Sequence, residues 1–539
     1  MEKRVISVFL CFCLVMGAIC LRLYTVTTQV DTASYISSHY KKVTLDTLRL
    51  PINDVNGKPL VNKKTENFIV AKPDKKSISL LREMLDNDDF NKITSSLLQG
   101  SAGYACVGDK YYPLCQSYIT LRKNIRYSDL SAVHLIGYVN SDGNGVSGLE
   151  RCFDSFLKTE VPLYAGFLCD VNGNIISGAE IETDPVYVSH KGGVTTTIDI
   201  DIQSIAEQAL LNSGITNGTV MVSDAQTGEI KAVASLPVYD PDNVEVYLKD
   251  KESPLTNRAL SAYAVGSVFK VVVAACALEN GIDKTFSYNC NGEITVDGNV
   301  FHCNNSNAHG LLDMEAALAA SCNCYFIQLS KQLGGDAISE TASLFDFGRS
   351  IEIAENLFSS KGRLPTKEEL KIPGNLANFS FGQGKFTATP VQMINVFNAI
   401  ANNGRYTSAY CVRNATDTAG DIVYEYKPKA PVYAISEETA NLLSQMLITA
   451  VNEGTAHNAY TEDFVSAGKT ATAQTGIYDA EGKEKLCTWF GGFFSADDFR
   501  YSVIVVSENG TTGGEDCAPV FKEIAEKINL QNKQKTLAK

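Results

Sequence analysis

The sequence predicts an α+β protein in which a membrane helix and an irregular, strand-containing pedestal module precede a large domain of helices packed on one antiparallel sheet. Three observations predict this class: an apolar run close to the N-terminus, β-rich segments at both ends of residues 195–530, and a helical middle at roughly residues 265–450. The predicted division is 1–24 for a short cytoplasmic tail and membrane anchor, 25–190 for the pedestal and 195–530 for the large domain.

Composition and charge exclude several classes of protein. The chain has 539 residues, of which 45% are hydrophobic and 20% charged, as expected for a folded protein rather than a disordered one. Its formal net charge is −14, and no run of lysines and arginines occurs. A protein whose main partner is nucleic acid or an anionic lipid surface would need a dense basic patch, so neither is expected as a partner.

The apolar run is the predicted membrane anchor. Residues 5–20 read VISVFLCFCLVMGAIC, and the following LRLY extends the run to about 20 residues, the length that crosses a bilayer as a helix. Lys3 and Arg4 precede it, which favours a cytoplasmic N-terminus with everything after about Thr25 outside the membrane. A cleavable signal peptide is the alternative, but the run is long for a signal core and no A-x-A site follows. A single-pass cell-membrane protein is therefore expected.

The next 160 or so residues contain no catalytic constellation. Short apolar alternations and loops such as 141–148 predict an irregular module, with one candidate helix near 77–87. A spacer or interaction domain is expected here.

The large domain begins with clear signals of secondary structure. Residues 195–214 read as a threonine-rich strand followed by a helix, with Asp201 as the candidate N-cap and Gly214 as the stop. Residues 218–237 form two β-rich runs around the turn 225–228, which predicts a hairpin. Three further strand candidates follow near the C-terminus at 464–476, 488–496 and 500–509.

The fifteen cysteines leave the redox state open. Two pairs are close enough in sequence to close a loop, Cys106 with Cys115 and Cys290 with Cys303. For the second pair, the nearby His302 and His309 add a metal site to the alternatives of a disulfide and free thiols, although the spacing matches no common zinc module. There is no HExxH motif, so no catalytic metal and no cofactor are expected.

Three short elements carry the polar groups that an acyl-transfer site needs. Ser267 and Lys270 lie one turn apart at the start of an apolar helix, 321-SCN-323 follows a helical run, and 469-KTAT-472 lies in a strand. Each alone has a simpler explanation: a helix N-cap, a turn between helices and an exposed strand lysine. Their order and contexts match the S-x-x-K, S-x-N and K-T-G set of penicillin-recognising serine enzymes.

With these motifs the chain resembles the class B penicillin-binding proteins, which are membrane-anchored peptidoglycan D,D-transpeptidases of bacteria. The resemblance covers nearly the full length. Further segments with counterparts in that family are 49-RLPINDVNG-57, 148-GLERCFDSFL-157, 195-TTTIDIDIQ-203, 227-TGEIKAVASLPVYDPDN-243, 257-NRAL-260, 380-SFGQGKFTATPVQM-393 and 453-EGTA-456.

The residue chemistry and this resemblance together imply a catalytic set. Ser267 would be the nucleophile and Lys270 the base that removes its proton, because an amine buried among apolar or cationic groups has a lowered pKa. Ser321 would relay a proton to the departing D-alanine, and Asn323 would hold the substrate amide or the Lys270 amine. Lys469 would supply a second positive charge.

The same resemblance implies how substrate is bound. Lys469, Thr470 and Thr472 would bind the terminal carboxylate of a D-Ala-D-Ala stem peptide, and the backbone N–H groups of Ser267 and Thr472 would form the oxyanion hole. Ala471 replaces the glycine of K-T-G. Strand alternation places its methyl on the Lys469 face, so it should alter packing more than it blocks substrate.

The implied function is a D,D-transpeptidase that cross-links stem peptides through a serine acyl-enzyme and is acylated by β-lactam antibiotics, with a D,D-carboxypeptidase side activity. Only about 170 residues separate the membrane from residue 195, so a separate membrane glycosyltransferase and other cell-wall synthesis proteins are expected partners. One alternative is a serine β-lactamase, for which Glu352 or Glu355 would have to activate water. The other is a non-catalytic β-lactam sensor or cell-wall scaffold.

Overall fold

The computed structural model describes residues 2–29, 40–113, 115–176, 178–184, 186–303, 306–479, 481–496 and 499–537. The chain forms two compact units. The first consists of Met1–Arg49, Asn62–Arg126 and Thr159–His190, and the second of Leu50–Val61, Tyr127–Lys158 and Lys191–Lys539. Two segments of the predicted pedestal, 50–61 and 127–158, thus belong to the second unit.

The first unit begins with a long helix, Glu2–Gln29. Its segment Ile6–Thr25 is long and apolar enough to cross a membrane, and its side chains are exposed, as expected for a helix that meets lipid. The predicted apolar helix is therefore present at the predicted position.

A small α+β module makes up the rest of the first unit. Its three-stranded antiparallel sheet has the order Gly103–Gly108, Lys64–Ala71, Tyr118–Ile125. Helices Lys75–Met84 and Asn87–Leu98 cover it, and strands Tyr40–Arg49 and Lys158–Leu168 pair separately. The candidate helix near 77–87 is present as Lys75–Met84. It begins earlier than predicted because the Asp74 carboxylate accepts a hydrogen bond from Ser77 N at 2.6 Å and caps it there.

The second unit is built on a five-stranded, fully antiparallel sheet. Its strand order is Ser466–Tyr478, Glu484–Ala496, Phe499–Gly510, Gly218–Asp224, Ile230–Leu236. All five strands are ones that the sequence predicts, including the hairpin around 225–228, where Gly228 has a φ of +78°. The predicted α+β fold with an antiparallel sheet is confirmed.

Helices pack against both faces of this sheet. Helices Ile200–Asn212 and Ala518–Leu537 share a hydrophobic core with one face. On the other face, helix Pro390–Ala401 places Phe397 so close to the sheet that a Cβ on Gly491 would lie 2.3 Å from its ring. Because helices cover both of its faces, strand Gly218–Asp224 is buried at almost every position.

The helix that opens the large domain is capped by a different residue from the one predicted. Asp199, rather than Asp201, is the N-cap of Ile200–Asn212, because its carboxylate accepts from Asp201 N at 3.0 Å and Ile202 N at 3.3 Å. Gly214 follows the helix with a φ of +81°, as the stop signal predicted. The preceding strand, Gly193–Thr196, belongs to a second sheet with the order Ile422–Glu425, Val412–Thr416, Gly193–Thr196, Ile52–Asn53.

The middle of the second unit is mostly helical, as predicted. Its α-helices are Lys270–Glu279, Met314–Ala319, Asn323–Leu344, Lys367–Leu370, Pro373–Ser380, Pro390–Ala401 and Glu437–Asn452. Four short strands form two antiparallel pairs beside them, Tyr288–Cys290 with Gly310–Leu312 and Glu293–Val296 with Asn299–His302. Shorter elements of this unit are Val133–Ile136, Gly148–Cys152, Asp154–Leu157, Glu352–Ala354, Leu357–Phe358, Arg405–Tyr406, Val432–Tyr433 and Gly513–Asp516.

Candidate active site

The candidate nucleophile lies in a tight turn at the start of a helix. Gly266–Phe269 is a 3-10 turn that leads directly into helix Lys270–Glu279. Val265 occupies the N-cap position and no side chain caps the turn, so the interpretation of Ser267 as a helix cap is wrong. Ser267 is half-buried, and its hydroxyl makes no hydrogen bond with another residue that the structure describes, Lys270 included. The hydroxyl is therefore available for reaction. The hydrogen bond between a catalytic nucleophile and its base often forms or shortens only when substrate is bound.

The backbone before Ser267 is held by residues far away in sequence. Gly266 N donates to Gly382 O at 2.8 Å, and Trp489 Nε1 donates to Ala264 O at 2.8 Å. Gly382 has a φ of +77°, and a Cβ there would lie 2.1 Å from Gly266 O. Gly382 lies in a segment that carries the family resemblance but no role was predicted for it, although a glycine pair such as G-Q-G is a signal of close backbone approach.

Gly382→Ala is expected to lower the melting temperature clearly more than Gly384→Ala does. Gly382 has a φ of +77° and Gly384 a φ of +76°, so the backbone strain of an alanine, about 1–3 kcal/mol, is the same at both positions. At Gly382 the new methyl group would collide with the backbone of Gly266. At Gly384 it would contact only the Asn378 side chain, at 3.1 Å. Thermal unfolding of the two variants measures the difference, and equal shifts would show that the contact with Gly266 is unimportant.

Lys270 is the centre of a hydrogen-bonded cluster. Its Nζ donates to Ser321 O at 2.7 Å, to Asn323 Oδ1 at 2.7 Å and to Ser321 Oγ at 3.3 Å, and it lies 5.5 Å from the centre of the Phe326 ring. Lys270 is fully buried, and burial lowers its pKa to about 8. The structure thus brings together Lys270, Ser321 and Asn323, three of the residues predicted for the site.

The turn that carries Ser321 and Asn323 is strained. Ser321 has a φ of +54°, which is uncommon for a residue with a side chain and is found most often where function requires it. Cys322 N donates to Ala317 O at 2.9 Å, and Asn323 Nδ2 donates to His302 O at 2.9 Å. These bonds aim the carbonyl and hydroxyl of Ser321 and the amide oxygen of Asn323 at Lys270.

Lys469 lies buried on the edge strand of the large sheet. Its Nζ donates to Thr470 O at 3.1 Å and lies 3.4 Å from Thr455 Oγ1. Burial, followed by the charge of Lys270, holds the pKa of Lys469 well below its ordinary value. The positive charge of Lys270 thus acts on Lys469.

The strand places Ala471 against the nucleophile turn. Lys469 and Ala471 are buried while Thr472 is exposed, and Thr470 is 6% exposed. A Cβ on Gly266 would lie 3.3 Å from the Ala471 methyl, so this methyl packs beside Gly266. Thr472 Oγ1 accepts a hydrogen bond from Gly513 N at 3.3 Å.

Thr455 is a site residue that sequence reasoning missed. Its hydroxyl lies 3.0 Å from Thr470 Oγ1 as well as 3.4 Å from Lys469 Nζ, and its backbone N donates to Ala319 O at 3.1 Å. The turn therefore connects the Lys469 strand to the end of the helix before Ser321. The segment 453-EGTA-456 carried the resemblance, but a lone threonine in a turn gives no sign of a long-range contact.

Neither carboxylate proposed for a β-lactamase reaches the cluster. Glu352 Oε1 accepts from Asn356 N at 3.0 Å, and Glu355 Oε2 is buried without a hydrogen-bond partner among the residues that the structure describes. Within the described ranges no carboxylate hydrogen-bonds to Lys270, Ser321, Asn323 or Lys469. The cluster contains amines, hydroxyls and an amide, which suits acyl transfer better than activation of water.

Comparison with known sequences identifies the domain. The profile of the family described as "Penicillin binding protein transpeptidase domain" matches residues 218–526. Stage V sporulation protein D of Bacillus subtilis is 31% identical over 409 residues, covering 72% of this chain and 61% of that protein. Peptidoglycan D,D-transpeptidase MrdA of Acinetobacter baumannii is 27% identical over 448 residues, covering 76% of this chain and 65% of that protein. The chain thus spans less than two thirds of the length of these two relatives.

Solved structures share the fold. Penicillin-binding protein 3 of Mycobacterium tuberculosis complexed with aztreonam aligns with a TM-score of 0.67 at 22% identity, covering 92% of this chain and 97% of that one. The D,D-transpeptidase domain of a peptidoglycan glycosyltransferase from Eggerthella lenta aligns with a TM-score of 0.65 at 23% identity, covering 90% and 99%. At these identities the likeness shows the fold alone. The family match over residues 218–526 and the class of the relatives lead to one conclusion: this chain belongs to the penicillin-binding protein transpeptidase family, as one of its class B members.

Proposed function

We propose that this chain is a bacterial peptidoglycan D,D-transpeptidase that cross-links stem peptides ending in D-Ala-D-Ala through an acyl-enzyme on Ser267, and that β-lactams acylate the same serine. The observation that carries the proposal is the buried amine of Lys270, which lies one turn after Ser267 and donates to Ser321 and Asn323. A serine hydroxyl needs a neighbouring base before it becomes a good nucleophile, and an amine with a lowered pKa provides one.

Acylation begins with proton transfer from Ser267 to the neutral form of Lys270. The Ser267 oxygen attacks the carbonyl carbon of the penultimate D-alanine, and the carbonyl oxygen becomes a tetrahedral oxyanion. The backbone N–H groups of Ser267 and Thr472 are the proposed donors to that oxyanion, each worth about 3 kcal/mol in related acyl chemistry.

The leaving group is protonated through Ser321. Lys270 passes its proton to the Ser321 hydroxyl, whose oxygen lies 3.3 Å from Lys270 Nζ, and Ser321 delivers its own proton to the amine of the departing D-alanine. The C–N bond breaks as this proton arrives. Asn323, which accepts a bond from Lys270 at 2.7 Å, keeps the amine in line with Ser321.

The positive end of the site supports carboxylate binding. Lys469, Thr470 and Thr472 are the proposed partners of the terminal D-alanine carboxylate, and Thr472 is the exposed member of the three. Thr470 is engaged with Thr455, so Thr455 is proposed as a positioning residue for Lys469 and Thr470.

In the second half-reaction an amine from a neighbouring stem peptide attacks the acyl-enzyme. The attacking amine gives up a proton to Lys270 as the new amide bond forms, and Lys270 passes a proton to the Ser267 oxygen as the ester breaks. Water in place of the amine would give the D,D-carboxypeptidase side activity. A β-lactam reacts like the donor peptide, but its opened ring stays attached to Ser267.

The proposed setting is the outer face of the cell membrane. The helix Glu2–Gln29 would anchor the chain with a cytoplasmic N-terminus. Residues 25–190 would form the pedestal and residues 195–530 the transpeptidase domain. Segments 50–61 and 127–158 belong to the same compact unit as the transpeptidase domain. Glycan strands would come from a separate membrane glycosyltransferase within a cell-wall synthesis complex.

The acyl-enzyme is expected to be long-lived. Because the Lys270 cluster includes no carboxylate that could activate water, a bound β-lactam should leave slowly, and each 1.4 kcal/mol added to the hydrolysis barrier slows release about tenfold. Intact-protein mass spectrometry after mixing with penicillin and removing free drug should find one adduct per chain that persists for many minutes.

Three other outcomes would redirect the assignment. Rapid turnover of a chromogenic cephalosporin with no accumulating adduct would make the protein a β-lactamase. A chain that never forms an adduct would instead be a non-catalytic scaffold, whereas a sensor would form the adduct but fail to cross-link stem peptides.

A further inference from the structure

A tyrosine four residues before Ser267 shares one carboxylate with a buried arginine. Arg258 Nε donates to Glu508 Oε1 at 3.1 Å and Arg258 Nη2 to Glu508 Oε2 at 3.3 Å, so this ion pair is bidentate. The Tyr263 hydroxyl donates to the same Glu508 Oε1 at 2.9 Å. We call these three side chains, Arg258, Glu508 and Tyr263, the brace. It connects the segment that enters the nucleophile turn to the large sheet, because Glu508 lies on strand Phe499–Gly510.

The arginine holds the carboxylate of the brace in one orientation. The side chain of Arg258 is 3% exposed and that of Glu508 28% exposed, so the pair is largely removed from water. The guanidinium also donates to the carbonyls of Ser253 at 3.3 Å and Glu252 at 2.7 Å. A planar guanidinium that makes two parallel hydrogen bonds fixes both oxygens of its carboxylate partner. Glu508 Oε1 is therefore a fixed acceptor for the Tyr263 hydroxyl.

Tyr263 is also held at its backbone and at its ring. Its backbone N donates to Ala388 O at 2.9 Å, and Ala388 N donates to Tyr263 O at 3.0 Å. Its ring lies edge-on to Trp489, with ring centres 6.1 Å apart and an angle of 79° between the ring planes. Burial, followed by the charge of Glu508, raises the pKa of Tyr263, so the hydroxyl keeps its proton and remains a donor.

The contacts continue from Tyr263 into the nucleophile turn. Ala264 O accepts a hydrogen bond from the indole of Trp489, which is fully buried. Two residues further on, Gly266 N donates to Gly382 O. Three of the four residues that enter the turn are therefore bound to distant parts of the chain.

The turn needs such support because its own end carries no side-chain cap. Val265 occupies the N-cap position, and no side chain accepts from the turn. The first N–H groups of a helix have no partner within the helix, and a capping side chain or a ligand usually supplies one. Ser267 N is a proposed donor to the oxyanion, so a cap would compete with the substrate for it. Contacts made by the preceding residues fix Ser267 without occupying that N–H group.

We propose that Tyr263 and Glu508 are positioning residues for Ser267, in that their hydrogen bond, supported by Arg258, fixes the backbone that enters the nucleophile turn. This role rests on the proposed function, because it concerns the acylation of Ser267. Neither side chain belongs to the groups proposed to react or to bind the substrate carboxylate. A displacement of about 1 Å at a reacting atom can lower the rate about 100-fold, so the brace acts on the rate of acylation rather than on affinity.

A second set of the same three residue types provides a matched control. Glu229 accepts from Arg413 Nε at 2.7 Å and from Arg413 Nη2 at 3.0 Å, and the Tyr410 hydroxyl donates to it at 3.4 Å. Lys231 is a further partner of this carboxylate. Within the described part of the chain, these side chains make no hydrogen bond with residues 263–270. Substitutions in the second set therefore report the loss of a similar tie that does not touch the nucleophile turn.

Tyr263→Phe tests the brace through the loss of a single oxygen atom, and it leaves the Arg258–Glu508 pair intact. Full-length protein in detergent is mixed with increasing concentrations of a fluorescent penicillin, and the initial rate of labelling is measured. The maximal rate should fall about tenfold or more, while the penicillin concentration that gives half of this rate should change less than about twofold. Tyr410→Phe should change neither quantity by more than about twofold. An unchanged maximal rate in Tyr263→Phe, an effect on affinity alone, or an equal decrease in Tyr410→Phe would overturn the proposal.

Substitutions of Glu508 test whether its acceptor oxygen carries the effect. Glu508→Ala leaves the buried Arg258 charge without its partner, which destabilises the fold and is measured by thermal unfolding. Glu508→Gln keeps a carbonyl oxygen that can accept from Tyr263, so it should retain at least about threefold more of the maximal rate than Glu508→Ala. Equal rates in the two folded variants would contradict a role for the hydrogen bond. If Glu508→Ala does not fold, Tyr263→Phe decides the outcome.

Trp489 reports on the brace without any β-lactam. It is the only tryptophan of the chain, and its indole N–H is bound to Ala264 O. Loosening the brace lets water approach the indole, so the emission maximum should shift to longer wavelength in Tyr263→Phe and Glu508→Gln and stay in place in Tyr410→Phe. An unchanged spectrum in both brace variants would overturn the proposal. A wild-type chain that penicillin never labels would instead contradict the proposed function, while the emission spectra would still test the brace.

Discussion

Ser267→Ala is expected to abolish covalent labelling by a fluorescent penicillin while leaving the fold intact. The hydroxyl is the only reactive atom that the substitution removes, and a β-lactam has no other acceptor for its opened ring in the proposed mechanism. Ser267 is half-buried and its side chain makes no hydrogen bond with the rest of the described chain, so the stability change should stay within about 0.5 kcal/mol.

Two other serines provide the comparison for this experiment. Ser330→Ala removes a buried hydroxyl that donates to Ile327 O at 2.8 Å, and it should leave labelling unchanged. Ser321→Ala should still be labelled, but more slowly, because the relay to the leaving group is lost while the nucleophile remains. Labelling that persists in Ser267→Ala, with the adduct mapped by peptide mass spectrometry to another serine, would refute the assignment of the nucleophile.

The sheet and the N-terminal helix could be predicted because their signals are local. Residues 464–509 contain three β-rich runs separated by turn residues, and the structure has strands there at Ser466–Tyr478, Glu484–Ala496 and Phe499–Gly510. The apolar helix is equally local, since composition and length alone define it. The sequence does not distinguish Asp199 from Asp201 as the N-cap of helix Ile200–Asn212. The backbone geometry shows that Asp199 is the cap.

The candidate site also depends on contacts between residues far apart in sequence, which local sequence signals do not predict. Lys270, Ser321 and Asn323 are predictable from the sequence through a family resemblance, and the structure brings them into one hydrogen-bonded cluster. Thr455 and Gly382 act through contacts with strands and turns far away in sequence, which no spacing rule reveals.

Replacing Lys270 is the second substitution with a large expected effect. Lys270→Met keeps the length and apolar stem of the side chain but removes the amine, so both the base and three hydrogen bonds are lost. General bases contribute about 10²–10⁴-fold to rate, and the acylation rate by penicillin should fall by at least that factor. Stopped-flow or quenched labelling measures this rate, and thermal unfolding checks that the variant is folded.

Lys270→Arg separates the base from the charge. A guanidinium can donate to Ser321 O and Asn323 Oδ1, but its pKa above 12 prevents it from accepting the Ser267 proton. If Lys270 acts as the base, the arginine variant should therefore be as slow as Lys270→Met. Lys469→Arg is the matched comparison, because Lys469 is proposed to act only through its positive charge, and arginine binds carboxylates well. We expect Lys469→Arg to retain more activity than Lys270→Arg when both are folded, and the opposite order would mean that the two lysines have exchanged roles.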